Sequence, residues 1–444
     1  MQAKTWAHLA AIGLAACVAT SPALAQQPAS ASATAHYYVT SLGSLGGSSS
    51  SGNAITDFGW PLGNSNLAGD TETHAAIWIG ARPFDLGTLG GPNSAVDWPV
   101  HNRQGVIAGI AETSAMMSEN WSCSAFFPTA DQHVCLGFVI RDGQMKALPT
   151  LGGTNGYASG VNELGDVVGW TETTVQDPTC TPPQVFQFEA VKYGRDDKPQ
   201  VLAPLTGDQD SAATALNAAG DVVGISGECN NAVGALSAKH AIIWHNGKPS
   251  VLPMFGGSGW NTPTDINERG DIVGFANLPP DIAADGSLEF NPVAFIWTQE
   301  KGTQEIPPLP GDTNSIAYAI NNHGQVVGQS FGGPEGARAF VWENGKATDL
   351  NALVSGDAGI YLIYAEGIDD RGDITGQACT FVDNACVLPA SPSSPTPTFL
   401  AIPQYGGYAG AGVPASVPAS GPASVPQELV RRSLLRWGVD RPKQ

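Results

Sequence analysis

Apolar runs in this chain are short, and each is cut off by a break centred on glycine or asparagine. Residues 316–320 read Ile-Ala-Tyr-Ala-Ile, a strand-like run. Asn321-Asn322-His323-Gly324 follows, with Asn first and Gly fourth. That order suits a hairpin turn whose glycine takes the left-handed conformation. Residues 325–328, Gln-Val-Val-Gly, are rich in β-branched side chains and predict a second strand. After a loop, Ala339-Phe340-Val341-Trp342 predicts a third, and Asn344-Gly345 marks a tight hairpin before a fourth. Each unit of ~50 residues is therefore a meander of four antiparallel strands, a to d.

The unit recurs. Its a–b phrase, Asn-x-x-Gly followed by three strand residues and a closing Gly, stands at 162–169, 217–224, 267–274 and 321–328. Looser copies occupy 102–109 and 369–376, and a degenerate seventh is read as ending at Gly69, after Asn64-Ser65-Asn66-Leu67-Ala68. A second phrase, Leu-Gly-x-Leu-Gly-Gly, leads into units at 42–47, 86–91 and 148–153. This pattern predicts an all-β chain: a β-propeller of seven blades with four antiparallel strands each. A solenoid ranks second, because its coils are usually shorter and have fewer tight hairpins. The last unit has a at 364–368, b at 373–377 and c at 385–388, but no d. Residues 37–42 are a d strand with no blade before it. Pairing the two would close the ring and leave no edge to invite aggregation. Residues 398–402 are a local alternative for that strand. The expected organisation is a signal peptide at 1–25, the propeller at 36–389 and a Pro/Ala/Ser-rich, disordered tail at 390–444. Within the tail, residues 427–444 hold five Lys/Arg against two acids, and 429–437 reads as a short basic amphipathic stretch.

Composition narrows the partners. The formal net charge of -20 argues against nucleic acid and against adsorption to anionic membranes. Lys4, the apolar run 9–18 and Ala23-Leu24-Ala25 before Gln26 form a secretory signal. Leu14-Ala15-Ala16-Cys17 offers a rival reading, lipid anchoring through Cys17. No later run reaches the ~20 apolar residues of a membrane-spanning helix. Beyond Cys17 there are Cys123, Cys135, Cys180, Cys229, Cys379 and Cys386, an even number that implies disulfides in an exported chain. Spacing suggests Cys123 with Cys135, Cys379 with Cys386, and Cys180 with Cys229 between adjacent units. No CxxC spacing calls for zinc, and no motif calls for a cofactor.

The phrases Leu-Gly-Thr-Leu-Gly-Gly, Asn-x-x-Gly-x-Val-Val-Gly and Ala-Phe-x-Trp resemble the bacterial extracellular repeat family called HAF, over about residues 36–389. His74-Ala75-Ala76 and His240-Ala241-Ile242 keep the family's histidine, whereas Arg338-Ala339-Phe340 and Val293-Ala294-Phe295 do not. The resemblance implies export and a repeat fold, not a chemistry.

Candidate chemistry is sparse. His74 and His240 share one repeat position in units far apart, and there is no His-Glu-x-x-His or Gly-x-Ser-x-Gly. Arg269-Gly270-Asp271 and Arg371-Gly372-Asp373 spell an adhesive tripeptide on the a–b turn, where glycine serves the turn itself. Asp281 with Asp285, and Asp208 with Asp210, lack the EF-hand pattern. The b–c loops are long and unlike one another, which is where binding usually resides on a rigid scaffold. Trp121, Phe126 and Phe127 lie in one of them and are the candidate binding residues. The expected function is an exported binding or cell-surface interaction module, its partner an extracellular protein or polysaccharide. The rival is a carbohydrate- or polymer-active enzyme with acids at the channel mouth.

Overall fold

The computed structural model describes residues 35–98, 104–117, 127, 132–180, 184–230, 234–355, 359–382, 385–386 and 395–404. Over residues 35–404 the chain is a β-propeller of seven antiparallel sheets. Blade 1 runs through Gly46–Ile55, Pro61–Leu67, Thr73–Ile79 and Arg82–Asp85, strands a to d in order. Blades 2 to 6 repeat this order over residues 90–147, 152–202, 210–251, 262–306 and 314–349. The a strands of successive blades adjoin one another, so they line the axis.

Blade 7 joins the two ends of the domain. Its a strand is Ile360–Ile368 and its b strand Ile374–Val382. Thr398–Gln404 pairs with b, and His36–Ser41 pairs with Thr398–Gln404. The N-terminal segment is thus the d strand that closes the ring. The c strand is a correction. It is Thr398–Gln404, neither 385–388 as expected nor a substitute for d. Ala385–Cys386 forms only a two-residue ladder at the far end of strand b. The propeller accordingly reaches past residue 389, to Gln404. The strand was misplaced because a proline-rich stretch precedes Thr398, while Phe399 and Ala401 are fully buried. Val354–Ser355 adds a short parallel pairing outside His36–Ser41 and covers the sheet's outer edge.

Three features of the repeat explain its spelling. The a–b glycine sits at positive φ, as at Gly165 with φ 77, and closes the turn. The closing glycine of strand b faces a carbonyl of strand a so closely that no side chain fits. A Cβ at Gly169 would lie 1.9 Å from Tyr157 O. The same approach occurs at Gly63, against Ser51 O. Blade 1 therefore spells its a–b phrase as residues 56–63, with Gly59 at the turn (φ 77), and not as the copy ending at Gly69. Finally, in six blades the a strand bulges opposite this glycine. The extra residues at six described bulges are Asn53, Ser159, Thr214, Thr264, Tyr318 and Glu366. All carry a polar group, because a bulge leaves groups outside the sheet ladder. Ser159 Oγ donates to Ala213 O at 2.6 Å, Thr214 Oγ1 to Pro263 O at 2.8 Å and Thr264 Oγ1 to Ala317 O at 3.0 Å. Each of these bonds stitches a blade to the next.

The motif asparagine adds a second row of stitches. Asn321 Oδ1 accepts from the backbone N–H of His323 and Gln325, capping its own turn. Its Nδ2 donates across the seam to Asp369 O at 3.0 Å. Asn162 reaches Asn217 O, and Asn267 reaches Asn321 O, in the same way. An amide accepts at its own turn through Oδ1 while it donates to the next blade through Nδ2.

Apolar packing fills the b–c end of the ring. One cluster joins Tyr157, Trp170, Phe188, Phe275, Tyr318, Phe331 and Tyr364 from blades 3 to 7. Trp170 and Phe188 rings lie 5.1 Å apart.

Candidate functional site

The a–b turns converge around the axis and surround a small depression. Its floor is aliphatic: Val161, Leu216, Ile266, Ile320 and Ile368, the residue before the motif Asn or Asp in five blades. Its wall is acidic, with Asp57, Glu163, Asp265, Glu268, Asp369 and Asp370 among the described lining residues. Asp57, Glu163, Glu268, Asn322 and Asp370 all occupy the position after the turn's first residue, so the repeat itself aims this position at the axis.

Several of these carboxylates are engaged in holding the turns. Glu268 accepts from Ala218 N, Asn322 Oδ1 accepts from Glu268 N, and Asp370 accepts from Asn322 N and Nδ2. Asp265 accepts from Ile266 N and from Ile320 N of the next blade. Asp369 caps its own turn through Arg371 N and Asp373 N. Burial pushes its carboxyl up to about 6, with the charge of Asp373 adding to the rise and Arg371 opposing it.

Blade 1 differs at this mouth. Its turn carries Phe58 and Trp60, whose rings lie 5.4 Å apart and are exposed by 53% and 37%. Asp57 of the same turn lines the depression. The corresponding turn residues elsewhere are Leu164, Ala219, Arg269, His323 and Arg371.

Of the expected binding residues only Phe127 lies among the described residues, and it is not at this site. Phe127 is buried and packs into the apolar cluster at the b–c end, so its ring serves the core there. Trp121 and Phe126 lie outside the described residues, as does Cys123. Cys135 is disulfide-bonded. Cys180–Cys229 joins the b–c loops of blades 3 and 4, and Cys379–Cys386 closes the hairpin beyond strand b of blade 7. Two disulfides fit an extracellular or periplasmic location. Among the described residues no helix is long and apolar enough to cross a membrane.

The other candidates have local partners. Arg269 pairs with Asp271 at 2.6 Å and Arg371 with Asp373 at 3.1 Å, so both adhesive tripeptides fold back on themselves. Asp281 holds Ser258 N, and Asp208 binds Ser226 Oγ and His240 Nδ1. Blade 6 repeats the latter unit with Arg338 in place of the histidine, against Asp312. The repeat position at the start of strand c thus supplies a nitrogen that ties the strand to an acid. His74 does so too, against Asp85. Among the described residues no group of His, Cys, Asp and Glu is arranged to hold a metal ion.

No family model matches the chain, and no curated protein matches it. Solved structures similar to it share the propeller architecture. A streptogramin B lyase structure aligns with TM-score 0.45 and 11% identity, covering 83% of this chain and 98% of that one. Pyrococcus horikoshii acylaminoacyl peptidase aligns with TM-score 0.39 and 10% identity, over 78% of this chain and 49% of that one. AofleA from Arthrobotrys oligospora aligns with TM-score 0.36 and 11% identity, over 71% and 90%.

Proposed function

We propose that the chain is an exported binding module of the HAF repeat kind, which takes an extracellular protein or polysaccharide at the a–b mouth of its propeller. The observation that carries this reading is the exposed Phe58–Trp60 pair on the blade 1 turn whose Asp57 lines the depression. Exposed aromatics commonly anchor a partner, and here they replace the smaller or polar residues of most other blades. The engaged state of Glu268, Asp265 and Asp369 favours binding over acid–base chemistry, since these carboxylates hold backbone amides.

The test passes the full chain over cell-wall and polysaccharide fractions and measures retention and turnover on the same panel. Saturable retention without turnover is expected, and Phe58→Ala with Trp60→Ala should abolish it while leaving the melting temperature unchanged. Turnover of a panel member would replace the binding reading by the polymer-active enzyme.

A further inference from the structure

We propose that the partner taken through Phe58 and Trp60 is a neutral polysaccharide, laid along an apolar row that runs from the blade 1 turn outward across strands c and d. The inference rests on the reading of that aromatic pair as an anchor. It names the ligand class and the path the ligand follows.

The row follows from the register of blade 1. Leu62 pairs with Ile77, and Ile79 with Arg82. Two residues nearer the turn than Leu62, Trp60 therefore stands beside Ile79, so that Trp60, Ile79 and Arg82 cross three strands in file. Phe84 lies two residues from Arg82, on the same blade face. The Arg82 guanidinium sits over its ring, 5.1 Å from the centroid. Ile79 is 42% and Phe84 40% exposed, in line with the exposed Phe58 and Trp60. The repeat does not call for apolar residues here. Blade 4 has Asp221, His245 and Ser250 at the places of Trp60, Ile79 and Phe84, and blade 6 has Gln325, Glu343 and Thr348. In both blades the first two of these touch, which fixes the equivalence. Blade 1 thus exchanges a polar edge for an apolar one that water still reaches.

Area, edge and charge choose the occupant. With rather less than half of four large side chains open to water, the row exposes roughly 350 Å², well under the ~800 Å² that each partner brings to a stable protein interface. The edge does not template a peptide strand either. Leu86 N donates inward to Ala75 O, and N–H groups alternate along a strand, so position 83 faces outward, where Pro83 has no N–H to offer. The formal net charge of -20 disfavours a polyanion. A thin, uncharged chain with apolar faces and polar rims fits all three. A pyranose ring is such a unit: its C–H face stacks on Trp and Phe, and its hydroxyls accept from the Arg82 guanidinium. Trp60 to Arg82 is about two strand spacings, ~10 Å, so the row holds more than one ring.

The experiment titrates the full chain with cellohexaose, maltohexaose and chitohexaose, with hexagalacturonate as the anionic control, and measures the heat of binding. At least one neutral hexamer should bind, its monosaccharide about 10-fold more weakly or worse, and hexagalacturonate not at all. Added salt should leave the affinity unchanged, because the ligand carries no charge. Ile79→His/Phe84→Ser writes into the row the residues that blade 4 already carries there. It should weaken binding about 10-fold and leave the melting temperature unchanged. Arg82→Gln is the second variant, should the first fail to fold, and should weaken binding about 3-fold. Binding unmoved by both variants overturns the row. Preference for hexagalacturonate, or no binding of any neutral hexamer, overturns the ligand class. Retention of a protein fraction that Phe58→Ala/Trp60→Ala abolishes, with no hexamer bound, would leave the binding module standing and sink this inference alone, so the two readings fail separately.

Discussion

Arg371 Nη1 donates to Asp57 O at 2.8 Å and thereby crosses the seam between blades 7 and 1. At the four seams from blade 3 to blade 7 an asparagine Nδ2 makes that crossing. Blade 7 has Asp369 where the amide should be, and an aspartate has no donor to offer. The arginine two residues on supplies it instead, and also pairs with the Asp369 carboxylate. The substitution of Asp for Asn and the presence of Arg371 are thus one feature.

Arg371→Met should therefore open this seam. The Asp369 side chain is 1% exposed, so its charge would lose its counterion in a buried place, at a cost of about 1–3 kcal/mol near neutral pH. The folded state already holds the Asp369 proton more tightly than the unfolded chain, because its carboxyl is raised to about 6. Stability from this group is therefore full below the unfolded value of 3.8 and is lost as pH rises through about 6. Without Arg371 that loss deepens. Denaturant melts should show a small difference between natural and variant chains at pH 4.5 and a larger one at pH 7.5. A difference that does not grow with pH would remove the electrostatic account of the seam.

Asn321→Asp and Asn321→Ala separate the two duties of the motif asparagine. The aspartate keeps the turn cap and loses the bond to Asp369 O, which should cost about 1–2 kcal/mol. The alanine loses the cap to His323 N and Gln325 N as well and should cost more, about 2–3 kcal/mol. Urea melts with unchanged m values would measure both. Equal costs would mean that the inter-blade bond contributes little.

How far the sequence foretold this molecule depends on where the repeat is strictly spelled. Blades 3 to 6 were legible because Asn, Gly and the closing Gly each answer to a backbone constraint that side-chain choice cannot evade. Blade 1 departs from the spelling, with Thr56 for Asn and Trp60-Pro61-Leu62 for the strand residues, so the asparagine-bearing stretch that ends at Gly69 is the closer match in sequence. Its Gly63 obeys the same steric rule as Gly169, yet this shows only in space. Strand c of blade 7 was hidden behind Pro392, Pro395 and Pro397, although Phe399 takes the buried position against Gly376 that Phe340 takes against Gly328. The long b–c loops were the expected binding face, and their length is visible in a sequence. The convergence of five short turns on one axis, where the proposed site lies, is not. A signal was present in the acids of the position after the motif Asn, which read as surface filler when each turn is viewed alone.

Closure at blade 7 makes a prediction about truncation. Removing residues 36–45 deletes the d strand and should sharply lower the melting temperature. Removing 398–444 deletes strand c and should be as damaging, since Phe399 and Ala401 are fully buried. Removing 405–444 spares every described strand and should leave the melting temperature within a few degrees of the full chain. Equal melting of the 398–444 deletion and the full chain would contradict the strand order.

Asp210 gives the last prediction. It is fully buried in strand a of blade 4, where Oδ1 accepts from Phe188 N and Oδ2 from Gln184 Nε2. Blades 2 and 3 have an asparagine at this place: Asn93 Oδ1 accepts from Thr73 N, and Asn155 Oδ1 from Cys135 N. Burial pushes the Asp210 carboxyl up to about 8, against the two hydrogen bonds and with Asp177 and Glu189 adding repulsion. A folded value above the unfolded 3.8 means that ionisation opposes folding. Stability from this group is fully present below the unfolded value and is lost as pH rises through about 8. Asp210→Asn should remove that loss, because an amide carries the acceptor for Phe188 N without a charge, and Gln184 can present its carbonyl to the new donor. The variant should be close to the natural chain at pH 4 and gain on the order of 1–3 kcal/mol at pH 8.5. Denaturant melts at the two pH values would measure this. A variant less stable than the natural chain at both would show that the site depends on the carboxylate, and that blade 4 has diverged from the asparagine blades for a reason other than drift.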